Sequence, residues 1–289
     1  MKKIAIVTDS NSGITQEEAK KLGVFVLPMP FYVNGEEYLE GTTLTHKKFY
    51  ELLENKADIS TSQPSLYNLT TLWDTILEEY DELVHIPMSS ALSSSCEVAM
   101  AAAQDYDGKV HVVDNLSISV TQKLSVLNAL TMRDEGKSCA DIKNYLEASK
   151  YDSTIYITLN TLYYLKKGGR LTPAAAALGT LLQIKPVLQI QGGKLDSFSK
   201  ARTMKKAKSI MMDAVRKDAQ TRFHATENFD NIIFHVVYSG SDEAAKEFQK
   251  EVLELYPQHT INIEPLSLSI ACHIGPGALA LTASKKYQG

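Results

Sequence analysis

The chain has 289 residues, 44% of them hydrophobic and 22% charged, and a formal net charge of −4. That length suits two domains of ordinary size, and the weakly acidic balance gives no electrostatic footprint for a nucleic-acid partner. Cys96, Cys139 and Cys272 form no C-x-x-C pair, so neither a disulfide framework nor a zinc site is indicated, which fits a reducing cytoplasm.

The start, M-K-K-I-A-I-V-T-D-S, has too short an apolar run for a signal-peptide core and reads as a buried strand over Ile4 to Val7. It ends in the polar cluster Thr8-Asp9-Ser10-Asn11-Ser12-Gly13. Ile14 to Leu22 reads as a helix with Gly23 in the stop position. Val24 to Leu27 is a second strand, and Phe31-Tyr32-Val33 with Asn34-Gly35 a strand and turn. Thr45 to Asn55 is an amphipathic helix. Ile59-Ser60-Thr61-Ser62-Gln63-Pro64-Ser65 is a run of hydroxyls before a helix over Leu66 to Glu79, with Ser65 its natural N-cap.

Leu83 to Ser95 is the stretch around which the first half is organised. Its apolar run ends abruptly in Ser89, Ser90, Ser93, Ser94 and Ser95, and an Ala-rich helix follows from Glu97. Backbone N–H and side-chain O–H donors at a helix start suit a carboxylate or phosphate; one N-cap among loop filler explains the same residues. Val110 to Val113 is a strand ending in Asp114-Asn115, Leu116 to Asp134 a long helix and Ser138 to Ser149 another. Strand, polar turn and helix thus recur in a doubly wound α/β pattern, with Thr8–Ser12, Ser60–Ser65, Ser89–Ser95 and Asp114-Asn115 along one edge of the sheet. The predicted first domain is 1–153.

The second domain, 154–289, opens with a strand from Thr154 to Leu159. A short helix over Thr161 to Lys167 stops at Gly168-Gly169, and Pro186 to Ile190 pairs with Lys194 to Phe198 as a hairpin. Arg202 to Lys217 is a helix carrying Arg202, Lys205, Lys206, Lys208, Arg216 and Lys217. A buried strand follows over Asn231 to Tyr238 and an amphipathic helix over Asp242 to Leu255, and Ile261 to Leu266 is the last strand. Hairpin plus helices indicates an α+β domain, whose C-terminal residues are placed against the first.

The chain lacks G-x-x-x-x-G-K-[ST], G-x-G-x-x-G after its first strand, H-E-x-x-H and G-x-S-x-G. His273 stands in H-I-G-P-G, where glycines let the backbone approach a ligand; a hydrogen-bonded histidine in a terminal turn explains it equally. Lys166-Lys167-Gly168-Gly169-Arg170 reads as an anion clamp or as a basic helix C-terminus complementing the dipole. The basic residues from Arg202 to Lys217 form a solvated face or a docking site. Leu83, Val84, Ile86 and Ala99 to Ala103 line an apolar pocket or simply fill the core.

Seven motifs in order resemble the DegV family of bacterial fatty-acid-binding proteins: T-D-S-N-S at 8–12, T-S-Q-P-S at 61–65, S-S-A-L-S at 89–93, V-V-D-N at 112–115, L-K-K-G-G-R-L at 165–171, I-K-P-V-L at 184–188 and H-I-G-P-G-A at 273–278. Two departures stand out. Ser93-Ser94-Ser95 replaces the family's S-G-T, and Asp114-Asn115 replaces its D-S. The resemblance implies a Rossmann-like parallel-sheet first domain and a smaller α+β second domain, with one long-chain fatty acid, such as palmitate, at the interface. It implies that Thr61 and Ser93 hold the carboxylate, with Ser62 and Ser94 in the same loops, and His273 and Arg170 at the head-group end. Some family members present the acid to a separate fatty acid kinase that makes an acyl phosphate, and Arg202 is the matching candidate contact. The partners implied are the fatty acid, the kinase and a transient membrane surface, with no cofactor and no metal. The competing reading is a serine-dependent acyl hydrolase using the same cleft, with Ser93 as nucleophile and His273 as base.

Overall fold

A computed structural model describes residues 2–55, 57–176 and 184–288. The chain divides into two compact units. The first comprises the residues up to Lys150 together with Ser267–Ser269, the second Tyr151–Leu266 and Ile270–Gln288.

In the first unit β1 (Ile4–Asp9) is buried along its whole length, as a strand covered on both faces must be. Thr15 caps α1 (Gln16–Leu22), and Gly23 ends it with φ 69. Parallel pairing joins β1 to β2 (Phe25–Leu27) on one side. The chain then leaves this sheet. The strands β3 (Pro30–Val33) and β4 (Glu36–Leu39) form an antiparallel hairpin through Asn34-Gly35, both at positive φ. After α2 (His46–Glu54), β5 (Ile59–Thr61) pairs antiparallel with the other edge of β3. Next come α3 (Leu66–Leu77), β6 (Glu82–Ile86), α4 (Ser95–Ala102), β7 (Val110–Val112), α5 (Val120–Asp134) and α6 (Cys139–Ala148). The four-stranded sheet has the order β2-β1-β6-β7 and is parallel throughout. Strand order therefore reverses between β1 and β6, and such a reversal opens a crevice at the strands' carboxyl ends.

Three expectations need correction. The hydroxyl run Ser60–Ser65 does not lie along the parallel sheet, because β5 completes a separate sheet of order β4-β3-β5. A polar run before a helix looks the same in either sheet, and the free edge of the β3–β4 hairpin takes it. The helix expected from Leu116 begins only at Val120, since Leu116 and Ser119 both adopt φ 56, a left-handed conformation no α-helix contains. Finally, Val84 and Ile86 do not share a face with Leu83. Leu83 packs with Ala5, Val7, Trp73 and Ala99 under α3 and α4, and the period of two along β6 turns its neighbours the other way.

The second unit contains β8 (Ser153–Thr158), α7 (Tyr163–Lys167), α8 (Pro173–Ala176), β9 (Lys185–Ile190), β10 (Asp196–Ala201), α9 (Met204–Thr221), β11 (Ile232–Tyr238), α10 (Glu243–Leu255), β12 (Asn262–Pro265) and β13 (Leu279–Lys285). The helix α11 (Leu268–Ile274) begins within Ser267–Ser269 and continues into this unit. One six-stranded sheet has the order β10-β9-β8-β13-β11-β12, parallel only between β11 and β12. The expected last strand near Ile261 is thus an edge strand. The true last strand, β13, lies at the centre, antiparallel to both β8 and β11. Met211, Val215, Phe248 and Val252 of α9 and α10 pack with Phe234, Val236 and Leu281 of the sheet. Asp218 ties α9 to it: Thr154 Oγ1, Tyr156 OH and Gln191 Nε2 all donate to Asp218 Oδ2 at 2.8 Å. Lys208 is also buried, pairing with Glu251 at 2.5 Å, so it leaves the expected basic face, where Arg202, Lys205, Lys206, Arg216 and Lys217 remain exposed. Among the described residues no helix is long and apolar enough to cross a membrane.

Candidate functional site

The first unit's crevice is built from the polar end of β1. Thr8 Oγ1 donates to the Ile86 carbonyl at 2.7 Å and accepts from Gln122 Nε2 at 3.0 Å. Asp9 is 2% exposed. Its Oδ1 accepts from Asn11 N–H at 2.9 Å and Gln122 Nε2 at 3.1 Å, and its Oδ2 from Met88 N–H at 2.8 Å. T-D-S-N-S thus sews the ends of β1 and β6 to α5 and fixes the switch point.

A second buried acid, Glu40, gave no sign of itself within the polar run E-E-Y-L-E-G. It accepts from Ser10 Oγ at 2.6 Å and from the Leu268 N–H. Asn11 Oδ1 in turn accepts from the hydroxyls of Ser267 and Ser269. Burial raises the Asp9 carboxyl against the bonds it accepts. It pushes Glu40 up to about 7, with the neighbouring Asp9 charge adding to the shift. Between about pH 4.5 and 7 folded Glu40 keeps a proton that the unfolded chain has lost, so stability falls as pH rises through that window. The full shift corresponds to about 3 kcal/mol. His85 and His273, both held below their ordinary range, act in the opposite sense, so the informative quantity is a difference. Glu40→Gln should gain on the wild type by up to about 3 kcal/mol between pH 5 and 8 in denaturant unfolding. A difference that stays constant with pH would remove Glu40 from this role.

The Ser89–Ser95 loop uses several of its hydroxyls locally. Ser90 Oγ donates to Asp114 at 2.6 Å, Ser89 Oγ accepts from Ala91 N–H at 3.2 Å, and Ser93 Oγ accepts from Ser95 N–H at 3.2 Å. Ser93 is half-buried, and the bond it accepts leaves its own O–H proton to give. Ser94 is exposed and stands at the N-cap of α4 with no side-chain capping bond. Thr61 ends β5 and Ser62 N–H donates to the Pro30 carbonyl at 3.3 Å; both are half-buried. Ser65 caps α3, accepting from Asn68 N–H at 3.1 Å.

These two loops border one pocket. Its apolar walls are Leu27, Pro64, Leu69, Pro87 and Val98, and its polar members are Asp9, His85 and Ser95. Thr61, Ser62, Ser93 and Ser94 are not among its walls; Pro64 and Ser95, from the same loops, are. The expected lining by Leu83, Val84, Ile86 and Ala99–Ala103 gives way to His85 and Val98. His85 stood out in no pattern, because a histidine inside a strand has no spacing signal.

In the second unit L-K-K-G-G-R and H-I-G-P-G meet. The half-buried His273 ring lies against Gly168, where a Cβ would overlap it. Arg170 is exposed and donates to the Gly168 carbonyl at 2.6 Å. Burial, reinforced by the Arg170 cation, lowers His273 to about 4, so the imidazole is neutral at physiological pH. Gly275 and Gly277 make equally close approaches to Tyr164 and Asn160. Arg202 is exposed just before α9. Elsewhere, Glu82, His111 and Cys139 bring one ligand atom each within 4.8 Å of one another. Lys2 already pairs with Glu82, and burial with the nearby Glu82 charge pushes the Cys139 thiol up to about 12.

A parallel α/β sheet with a mostly apolar pocket at its switch point is the construction of a small-ligand-binding α/β protein. The chain belongs to the DegV family: the family model described as "Uncharacterised protein, DegV family" matches residues 3–286. A DegV domain-containing protein of Deinococcus radiodurans is 32% identical over 279 residues, 96% of this chain and 97% of that one. Among solved structures, a DegV family protein from Thermus thermophilus, described for its fatty acid binding, superposes with a TM-score of 0.88 at 32% identity, covering 98% of this chain and 99% of its own. A fatty acid binding protein from Bacillus subtilis gives 0.87 at 29%, covering 99% and 100%. A stearic acid-binding protein from Eubacterium ventriosum gives 0.88 at 26%, covering 99% of each chain.

Proposed function

We propose that this chain binds one long-chain fatty acid, such as palmitate, and carries it without chemistry of its own. The acyl tail occupies the first unit's pocket, and the carboxylate accepts hydrogen bonds from the Thr61 and Ser93 hydroxyls, with Ser62 and Ser94 beside them. The observation that carries this reading is the pocket: a mostly apolar cavity whose walls include Pro64 and Ser95, from the loops holding those hydroxyls, in a family whose structures at 26–32% identity are described as fatty acid binding. Charge-assisted bonds from neutral hydroxyls hold a carboxylate without a buried cation. At ~0.8 kcal/mol per buried methylene a C16 tail contributes more than ~10 kcal/mol gross, which survives the costs of association.

For His273 and Arg170 as head-group residues the reading rests on the resemblance alone. The same holds for presentation of the acid to a fatty acid kinase, with Arg202 as a contact. The exposed Leu66 and Tyr67, at the start of α3 beside the T-S-Q-P-S loop, support a transient membrane contact for loading.

Denaturing extraction and mass spectrometry of the purified chain test the reading. A near-stoichiometric fatty acid is the expected result and gives the chain length directly. A pocket still empty after incubation with C14 to C18 acids, together with turnover of acyl esters lost in Ser93→Ala, would put the hydrolase in its place.

A further inference from the structure

His85 faces the pocket from β6, on the strand face it shares with the apolar Leu83. His85 is 2% exposed, and neither ring nitrogen has a hydrogen-bond partner among the described residues. Trp73 meets the ring edge-on at 5.5 Å and supplies it with packing only. Ser95, on the same pocket, repeats the pattern: its backbone N–H is used by Ser93 Oγ, whereas its own Oγ is shielded from solvent and has no partner among the described residues. More than nine in ten buried polar groups are hydrogen-bonded. Two that are not, on one otherwise mostly apolar pocket, mark a place where something else completes the bonding.

The chemistry of the two groups says what that is. Burial holds His85 neutral, so its ring offers one N–H donor and one acceptor nitrogen, and Ser95 offers one O–H and its lone pairs. A carboxylate is disfavoured, because the acid Asp9 lines the same pocket and no cationic residue among those described does. A plain hydrocarbon leaves both groups unpaired. A double bond offers only a weak π acceptor for one N–H. A hydroxyl both accepts and donates, and can take a proton from one of these residues while giving its own to the other. The geometry points to a subsite, within the fatty-acid reading above, in which His85 and Ser95 bind a hydroxyl carried on the acyl chain. The substrate class is then hydroxylated long-chain fatty acids.

The test uses the full delipidated chain and the dissociation constants of stearate, oleate and 3-, 10- and 12-hydroxystearate. At least one hydroxystearate should bind about tenfold more tightly than stearate, the effect of satisfying buried groups that stearate leaves unpaired. That preference should fall to within about twofold in Ser95→Ala and in His85→Phe. Ser95→Ala removes only a hydroxyl and keeps the test usable should His85→Phe fail to fold. A merely structural histidine would leave the preference untouched, whereas His85→Phe should raise the melting temperature of the lipid-free protein by removing an unsatisfied buried group. Stearate and all three hydroxystearates binding alike, oleate binding best, or a preference that persists in both variants would overturn the subsite while leaving the fatty-acid reading intact. Failure of every acid to bind would instead sink the fatty-acid reading itself.

Discussion

Gly275→Ala should destabilise the second unit by roughly 3 kcal/mol, the sum of two costs that act at the same atom. Gly275 has φ +79, a left-handed conformation that costs an L-residue about 1–2 kcal/mol. The added Cβ would also overlap the Tyr164 ring, and overpacking of this kind costs about 1–3 kcal/mol. The overlap extends along the ring from Cε2 to Cγ, where the side chain is rooted, so it involves more than the far end of a flexible side chain. Gly169, in the same unit, is the control. It has φ +69 but no atom of the described residues within 4 Å of the position a Cβ would take, so Gly169→Ala should show only the conformational cost. Urea unfolding of the two variants separates the contributions. Equal losses would mean that the approach of H-I-G-P-G to Tyr164 has no energetic weight. Gly168→Ala completes the series: it carries no left-handed penalty, and its Cβ displaces the His273 ring directly.

Thr61→Val combined with Ser93→Ala should weaken fatty acid binding by at least ~2 kcal/mol, about thirtyfold, because each substitution removes a hydrogen bond to a charged group. Neither change alters the chain's charge, and Val keeps the β-branched shape that β5 holds at its pairing with Phe31. Loss of affinity with an unchanged unfolding curve is the signature sought, read by displacement of a fluorescent fatty acid. Wild-type affinity in the double variant would move the carboxylate elsewhere, with His273 and Arg170 the next residues to replace. Arg202→Ala is the counterpart: it lies on an exposed face and should leave lipid affinity unchanged while reducing capture by a fatty acid kinase.

The parts legible in the sequence were those whose physics is local. Ser65 was readable as an N-cap because the bond it accepts comes from a residue three positions on. Gly23 was readable as a helix stop because only glycine adopts αL without cost there, and Asn34-Gly35 as a turn because both residues take positive φ. The expectations that failed depended on distant partners. Leu279–Lys285, L-A-L-T-A-S-K, carries residues of modest strand preference, yet it occupies the middle of a sheet because β8 and β11 both pair with it. The expected lining mixed the two faces of β6, Leu83 on one and Val84 and Ile86 on the other, whereas the pocket takes His85, on the face of Leu83.

By itself, then, the sequence determined the doubly wound character of the first half and the motifs that mark the DegV family, since apolar periodicity and turn chemistry are written along the chain. Only the tertiary structure decided that β5 leaves the parallel sheet, that Glu40 is buried beside Asp9 with a carboxyl pushed up to about 7, and that His85 and Ser95 face one pocket with no hydrogen-bond partner for their side chains among the described residues. The reason is the same in each case. Burial, desolvation and hydrogen-bond satisfaction belong to groups far apart in the chain, and none has a value until the fold brings those groups together.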